Sequence, residues 1–242
     1  SAAPGGAPRS GIFNGKTPAP RLLDSNGAVL AAWDLGRDFA REVLTDTGPF
    51  ARHGRTCNRP TRAVTGPGWR GRATCLARAP AEDDAIHFHD DDVADCGWPE
   101  SHEFAVPEDL PSGVYALRLE AQGVADWLPF CVVPRRGQAG NRLALLLPTM
   151  SYLAYSNESL DVSDGLHLAP LQDMRLHPER FAYIAQNGLK STYDTHSDGS
   201  GISLASLKRP ILDFRPDARA RTFDAPHQFP ADLHIVDWLT GQ

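Results

Sequence analysis

Leu143-Ala-Leu-Leu-Leu-Pro148 decides how this chain is read. It is a continuous apolar run with no polar alternation. That is the pattern of a strand buried on both faces of a parallel sheet. Pro148 stops it, because proline has no N–H to give to a ladder. The composition changes just before the run, at Pro134-Arg-Arg-Gly-Gln-Ala-Gly, which marks a domain boundary.

Upstream, short β-like runs sit between Gly, Pro and Asp: Ala28–Asp34, Arg62–Thr65, Ala85–His89, His102–Val106, Val114–Glu120 and Leu128–Val133. Val114 and Ala116 fall on one face, and Tyr115, Leu117 and Leu119 on the other. Turn signals recur often enough for an antiparallel β-sandwich over 27–134. The opening, 1–26, is Gly- and Pro-rich and reads as a linker or the tail of a preceding β domain, with a tight turn at Asn14-Gly15.

Downstream, Tyr152 to about Asp217 has little periodicity. A helix is expected over Asp232–Leu239, where Leu233, Val236 and Leu239 recur at helical spacing and Gly241 stands at the C-cap position. The fold class is therefore a β-sandwich followed by the beginning of an α/β domain over 140–242, mixed α and β. One strand and one helix do not make a sheet. The missing strands are expected from further chain or from another subunit.

The 242 residues carry 24 Lys and Arg against 30 Asp and Glu, a net charge of -6. A chain binding nucleic acid through its phosphates needs a clustered positive surface, so nucleic acid is not the expected partner. No apolar run reaches the ~18 residues of a membrane helix, so no membrane is expected either. The first residues lack the basic and apolar regions of a signal peptide. Cys57, Cys75, Cys96 and Cys131 are irregularly spaced without a CxxC pair, which speaks for free thiols in a reducing, cytoplasmic setting.

Three segments carry chemistry. In Ala85-Ile-His-Phe-His-Asp-Asp-Asp, His87 and His89 share a strand face, as a metal pair would. No distant third ligand is evident from the sequence, so both are expected to be structural, hydrogen-bonded near the acidic turn. Tyr193-Asp-Thr-His-Ser-Asp-Gly-Ser-Gly is the densest polar segment. It is not an EF-hand loop: His196 stands at a calcium-ligand position and Ala205 where a glutamate belongs. Ser200 does not sit in a GxSxG elbow. Tyr152, Tyr155 and Asn157 follow the Leu143 run, at the strand end where open α/β sheets bind ligands.

Pro148-Thr-Met-Ser-Tyr-Leu-Ala-Tyr-Ser-Asn, Ser191-Thr-Tyr-Asp-Thr-His-Ser-Asp-Gly-Ser-Gly and Arg209-Pro-Ile-Leu-Asp-Phe-Arg-Pro resemble the large subunit of N,N-dimethylformamidase. So do Pro60-Thr-Arg-Ala-Val-Thr-Gly, Ala85-Ile-His-Phe-His-Asp-Asp-Asp and Val106-Pro-Glu-Asp-Leu-Pro-Ser-Gly-Val-Tyr, in the same order along nearly the whole chain. The resemblance implies hydrolysis of small N-substituted formamides to formate and an amine. It implies β-sandwich regions before an amidotransferase-like α/β domain, a small helical partner subunit and a larger oligomer. It also implies a mononuclear ferric iron held by two tyrosines and a glutamate.

Carried over, the tyrosines are Tyr152, or Tyr155 in its place, and Tyr193. The glutamate is expected outside this chain, so this chain alone is expected to be incomplete and inactive. Asp194, His196, Asp198 and Asn157 are candidates to hydrogen-bond around the site. Phenolate and carboxylate are hard donors suited to ferric iron. The alternative from another class is a non-catalytic binding or subunit-assembly module.

Overall fold

Residues 13–137, 142–158, 178–220 and 225–241 are described by the structure, a computed structural model. The early expectations for 1–12, for part of the boundary at 138–141 and for 159–177 of the irregular stretch lie outside them. The chain packs as two compact units, one of Ser1–Cys96 with His196–Leu204 and one of Gly97–Thr195 with Ala205–Gln242. Both are built from short antiparallel ladders and few helices, the mixed composition read from the sequence.

In the first unit the strands are β1 (Gly15–Thr17), β2 (Arg21–Leu23), β3 (Val29–Ala32), β4 (Val43–Leu44), β5 (Gly54–Arg55), β6 (Thr61–Val64) and β7 (Ala85–Phe88). β7 lies between β1 and β6, and β2 pairs β3 and β4 pairs β5, all antiparallel. The central place of β7 follows from its sequence. Ala85 and Ile86 are apolar, flanked on both edges, and 1% and 0% exposed. His87 stands opposite Lys16 on β1 and Thr61 on β6. The β6 register shifts between Thr61 and Val64, where Ala63 takes a positive φ of 56°. A bulge of this kind re-aims side chains locally. Asn14-Gly15 is not a tight turn: Gly15 begins β1 opposite Phe88.

Buried Asp46 organises the loop after β4. Its carboxylate accepts from the backbone N–H groups of Ala32, Gly48 and Arg52 at 2.8, 2.7 and 2.6 Å. These bonds hold its pKa below the usual carboxylate value.

In the second unit, β8 (Gly113–Ala121) and β9 (Val124–Val132) pair one to one along their whole length. Gln122 and Gly123 join them, both at positive φ, 52° and 80°. Two positive values make a type I′ turn, whose twist matches that of the strands. The hairpin is tied to the segment after residue 204 by Arg215, whose Nε and Nη2 each donate to Asp126 at 2.8 Å.

Among the described residues this unit holds three helices: α1 (Thr149–Ala154), α2 (Pro178–Gln186) and α3 (Phe229–Thr240). α3 is the helix expected over Asp232–Leu239, begun three residues earlier and capped at Gly241. α2 and the second half of α1 fall in the stretch read as irregular, since each helix is too short for its periodicity to stand out. None of the described helices is long and apolar enough to cross a membrane.

The Leu143 run differs from its reading. Residues 143–148 form no strand among the described residues. Leu143 is 73% exposed and Leu146 92%. A strand exists through its ladder, and none of the described residues offers this segment a partner. His102–Val106 likewise forms no strand; Phe104 instead packs toward Phe130, ring centroids 6.0 Å apart.

Candidate functional site

The tyrosine cluster grows from α1. Tyr152 lies on its buried side, 3% exposed, against the rings of Phe214 and Phe229. Its hydroxyl donates to the Asp232 carboxylate on α3. Burial, then that hydrogen bond, push the Tyr152 hydroxyl well above the usual tyrosine pKa. Tyr155 sits at the C-cap of α1. It faces a different set of neighbours.

Those neighbours come from the polar segment after Lys190. Thr192 donates to the Ala154 carbonyl twice, from its backbone N–H at 3.1 Å and from Oγ1 at 2.9 Å. Orphan carbonyls at a helix C-terminus need such donors. Ser191 N–H donates to Asp194 Oδ2 at 2.7 Å, and Tyr193 N–H to Ser191 Oγ at 3.0 Å, which closes the turn. The turn lays the Tyr193 ring on that of Tyr155, centroids 4.1 Å apart and planes 25° apart. The hydrogen bond to Tyr193 raises the Tyr155 pKa. His227 meets the other side of Tyr155 edge-on at 4.9 Å.

So the structure joins Tyr193 to Tyr155, and Tyr152 to Asp232. Asn157 is buried, with φ 61°. Its N–H donates to Asp213 Oδ2, its Nδ2 to the Pro210 carbonyl, and its Oδ1 accepts from Leu212 N–H. It therefore pins the 210–213 segment with its whole side chain. Asp194 accepts from Ser191 N–H in its own turn and lies close enough to Glu158 to help raise that carboxyl's pKa.

The sequence reading missed two carboxyls here, Glu158 and Asp213. Both line a pocket with Asn157, His227, Arg180 and Arg219. Burial pushes Glu158 up to about 7 and Asp213 up to about 6. Carboxyls tuned toward neutrality are where proton transfer is easiest. Asp213 lies in the Arg209-Pro-Ile-Leu-Asp-Phe-Arg-Pro motif, a signal that was available.

Tyr155 and Tyr193 present adjacent phenols, oxygen donors of the kind a hard cation takes, while Tyr152 keeps its proton in its hydrogen bond to Asp232.

His196 and Asp198 belong to a second cluster, in the first unit. The turn from His196 to Ser200 is closed by His196 N–H to the Ser200 carbonyl at 2.8 Å. It packs on the end of β7 and on Asp90-Asp91-Asp92. His87 Nε2 lies 2.8 Å from Asp198 Oδ2, His89 Nε2 lies 3.0 Å from Ser200 Oγ, and His196 Nδ1 lies 2.6 Å from Asp91 Oδ1. The His89 and His196 rings stack at 3.6 Å, and those of His87 and His89 stand 4.1 Å apart. Burial, then the neighbouring His196, lower the His89 pKa. Burial raises Asp92. Hydrogen bonds from Ser200 bring Asp198 down to about 2. His87 and His89 are hydrogen-bonded beside the acidic turn as read, but the distant partners that the sequence did not reveal are present.

A family profile described as N,N-dimethylformamidase beta subunit-like, C-terminal, matches residues 61–242. The N,N-dimethylformamidase beta subunit of Alcaligenes sp is 34% identical over 257 residues, covering 94% of this chain and 33% of the relative. That of Paracoccus aminophilus is 35% identical over 257 residues, with the same coverage. The chain thus spans about a third of the length of the curated relatives it matches.

Proposed function

This chain belongs to the N,N-dimethylformamidase beta-subunit family, and from that membership we propose that it forms part of the large subunit of an iron-dependent amide hydrolase. Its reaction is cleavage of the C–N bond of small N-substituted formamides, giving formate and an amine. The observation that carries the reading is the anchoring of Tyr193 by Thr192 onto the end of α1, beside Tyr155. Two distant tyrosine motifs are thereby brought to one place.

In this reading Tyr193 and Tyr152, or Tyr155 in its place, hold a ferric ion, with a glutamate from the rest of the large subunit as third ligand. Bound there, iron supplies a Lewis acid for the amide oxygen and for a water. The chain's own part is to fix the phenols. Thr192 sets the position of Tyr193. Asp232 accepts the hydrogen bond of the Tyr152 hydroxyl. The buried carboxyls of Glu158 and Asp213 stand ready to hold a proton near neutral pH.

The same reading takes 27–134 as a β-sandwich, 1–26 as a linker or the tail of a preceding β domain, and 140–242 as the start of an amidotransferase-like α/β domain. A small helical subunit joins it in a cytoplasmic oligomer. The exposed Leu143, Leu146 and Met150 support cover by the rest of the large subunit or by another chain. They equally favour the second reading, a non-catalytic assembly module with an incomplete α/β domain.

Activity separates the two. A chain extended to the length of its relatives, with the small subunit, is assayed for iron and for formate released from N,N-dimethylformamide. Stoichiometric iron and turnover, both lost on Tyr193→Phe, are expected. A folded extended protein without iron or turnover overturns the amidase reading.

A further inference from the structure

The histidine cluster has the form of a metal site in its own right. His89 Nδ1 lies 3.3 Å from Asp92 Oδ2, and His196 Nε2 lies 3.8 Å from Asp92 Oδ1. The second is beyond hydrogen-bond reach and the first at its limit. Both approach the tetrahedral edge of about 3.3–3.5 Å that follows from metal–ligand bonds of 2.0–2.2 Å. The donor atoms of His89, Asp92 and His196 all lie within 4.8 Å of one another.

The outward nitrogens are the independent observation. His196 Nδ1 is 2.6 Å from Asp91 Oδ1, and an ionised carboxylate only accepts, so Nδ1 carries the hydrogen and Nε2, in the neutral ring, turns its lone pair toward Asp92. Ser200 gives its hydroxyl hydrogen to Asp198 Oδ1 at 2.6 Å, so its oxygen accepts from His89 Nε2–H at 3.0 Å. The His89 Nδ1 lone pair then also faces Asp92. Each imidazole is held from behind by an oxygen with its other nitrogen toward Asp92. Metal-ligating histidines are oriented in this manner. The rings stack at 3.6 Å and 6°, so a shared ion requires one of them to turn out of the stack. Asn58 fixes the third ligand's backbone, donating to the Asp92 carbonyl and accepting from Ala94 N–H. The alternative trio of His87, His89 and Asp198 is weaker, because His87 and Asp198 meet at an ordinary hydrogen-bond distance of 2.8 Å.

We infer that His89, His196 and Asp92 bind a divalent transition cation of the zinc type, which staples the 196–200 turn to the end of β7. Two imidazoles select such an ion over calcium or magnesium. The His89 and His196 side chains are 1% and 4% exposed, as suits a structural ion. The site shares no residue with the tyrosine cluster and stands independently of the amidase reading.

The test is a titration of this full chain, stripped of metal with a chelator, using cobalt(II) chloride and then zinc chloride in competition. The expected result is saturation at one equivalent, a visible cobalt d–d spectrum, and a higher thermal midpoint. His196→Ala and the isosteric Asp92→Asn remove the spectrum. Asp91→Asn, which takes the hydrogen-bond acceptor from His196, weakens cobalt binding about 10- to 100-fold. Tyr193→Phe leaves it unchanged. A stripped protein that stays folded by circular dichroism but takes up no cobalt overturns the inference. So does undiminished cobalt binding in Asp92→Asn, a change small enough to leave the turn intact should His196→Ala fail to fold.

Discussion

Thr192 grips the Ala154 carbonyl with both its backbone N–H and its hydroxyl, at 3.1 and 2.9 Å. This joint between the polar loop and α1 determines where Tyr193 stands. Thr192→Val keeps the shape and removes one donor. The expected loss is about 1 kcal/mol of local stability. Hydrogen exchange should quicken at the 191–195 amides and not in β8 or β9. Unchanged protection of the loop would show that the hydroxyl does not anchor it.

Asp213 makes stability depend on pH. Its folded pKa, about 6, is raised by burial above the ordinary 3.8, with Arg209 and Arg215 opposing and Glu158 nearby. Its Oδ1 has no hydrogen-bond partner. Between pH 4 and pH 6 the folded state holds a proton that the unfolded state has lost. Stability therefore falls as pH rises through that window, by roughly 2–3 kcal/mol from this group. Asp213→Asn should flatten that part of the curve of urea midpoint against pH. A curve of unchanged slope refutes the assignment.

The Arg215 fork on Asp126 depends on its planar geometry. Arg215→Lys keeps the charge but can form only one of the two bonds, on a side chain 9% exposed. A cost of about 1–2 kcal/mol is expected, read as a lower urea midpoint. Equal midpoints would mean that charge alone suffices.

At the β8–β9 turn, Gly123→Ala meets no atom within 4 Å, so its effect isolates the backbone at φ 80°. About 1 kcal/mol should be lost from hairpin protection in hydrogen exchange. No loss would argue against the I′ geometry.

The legible parts of this molecule are those fixed locally. The β7 run showed itself through apolar residues ending in a turn, and α3 through its spacing and Gly241. The Leu143 run reads as a buried strand because apolar continuity implies cover, yet sequence does not say which chain provides it. The family resemblance leaves Tyr152 and Tyr155 as alternatives, one on α1 and one at its C-cap. Packing separates them: Tyr152 turns to Asp232 and Tyr155 to Tyr193. The partners of His89 escaped notice for a simpler reason. Ser200 lies 111 residues further on, and His196 meets Asp91 across 105. No local pattern reports a contact at that range.

The central claim is that Tyr193 is an iron-bound phenolate in the complete large subunit, and the visible spectrum of the ferric protein tests it most directly. A phenolate on ferric iron gives a ligand-to-metal charge-transfer band. With the chain extended to the length of its relatives and loaded with iron, that band should be present. Tyr193→Phe should bleach most of it and abolish formamide hydrolysis while the fold persists. A band and activity that survive in Tyr193→Phe would contradict the account.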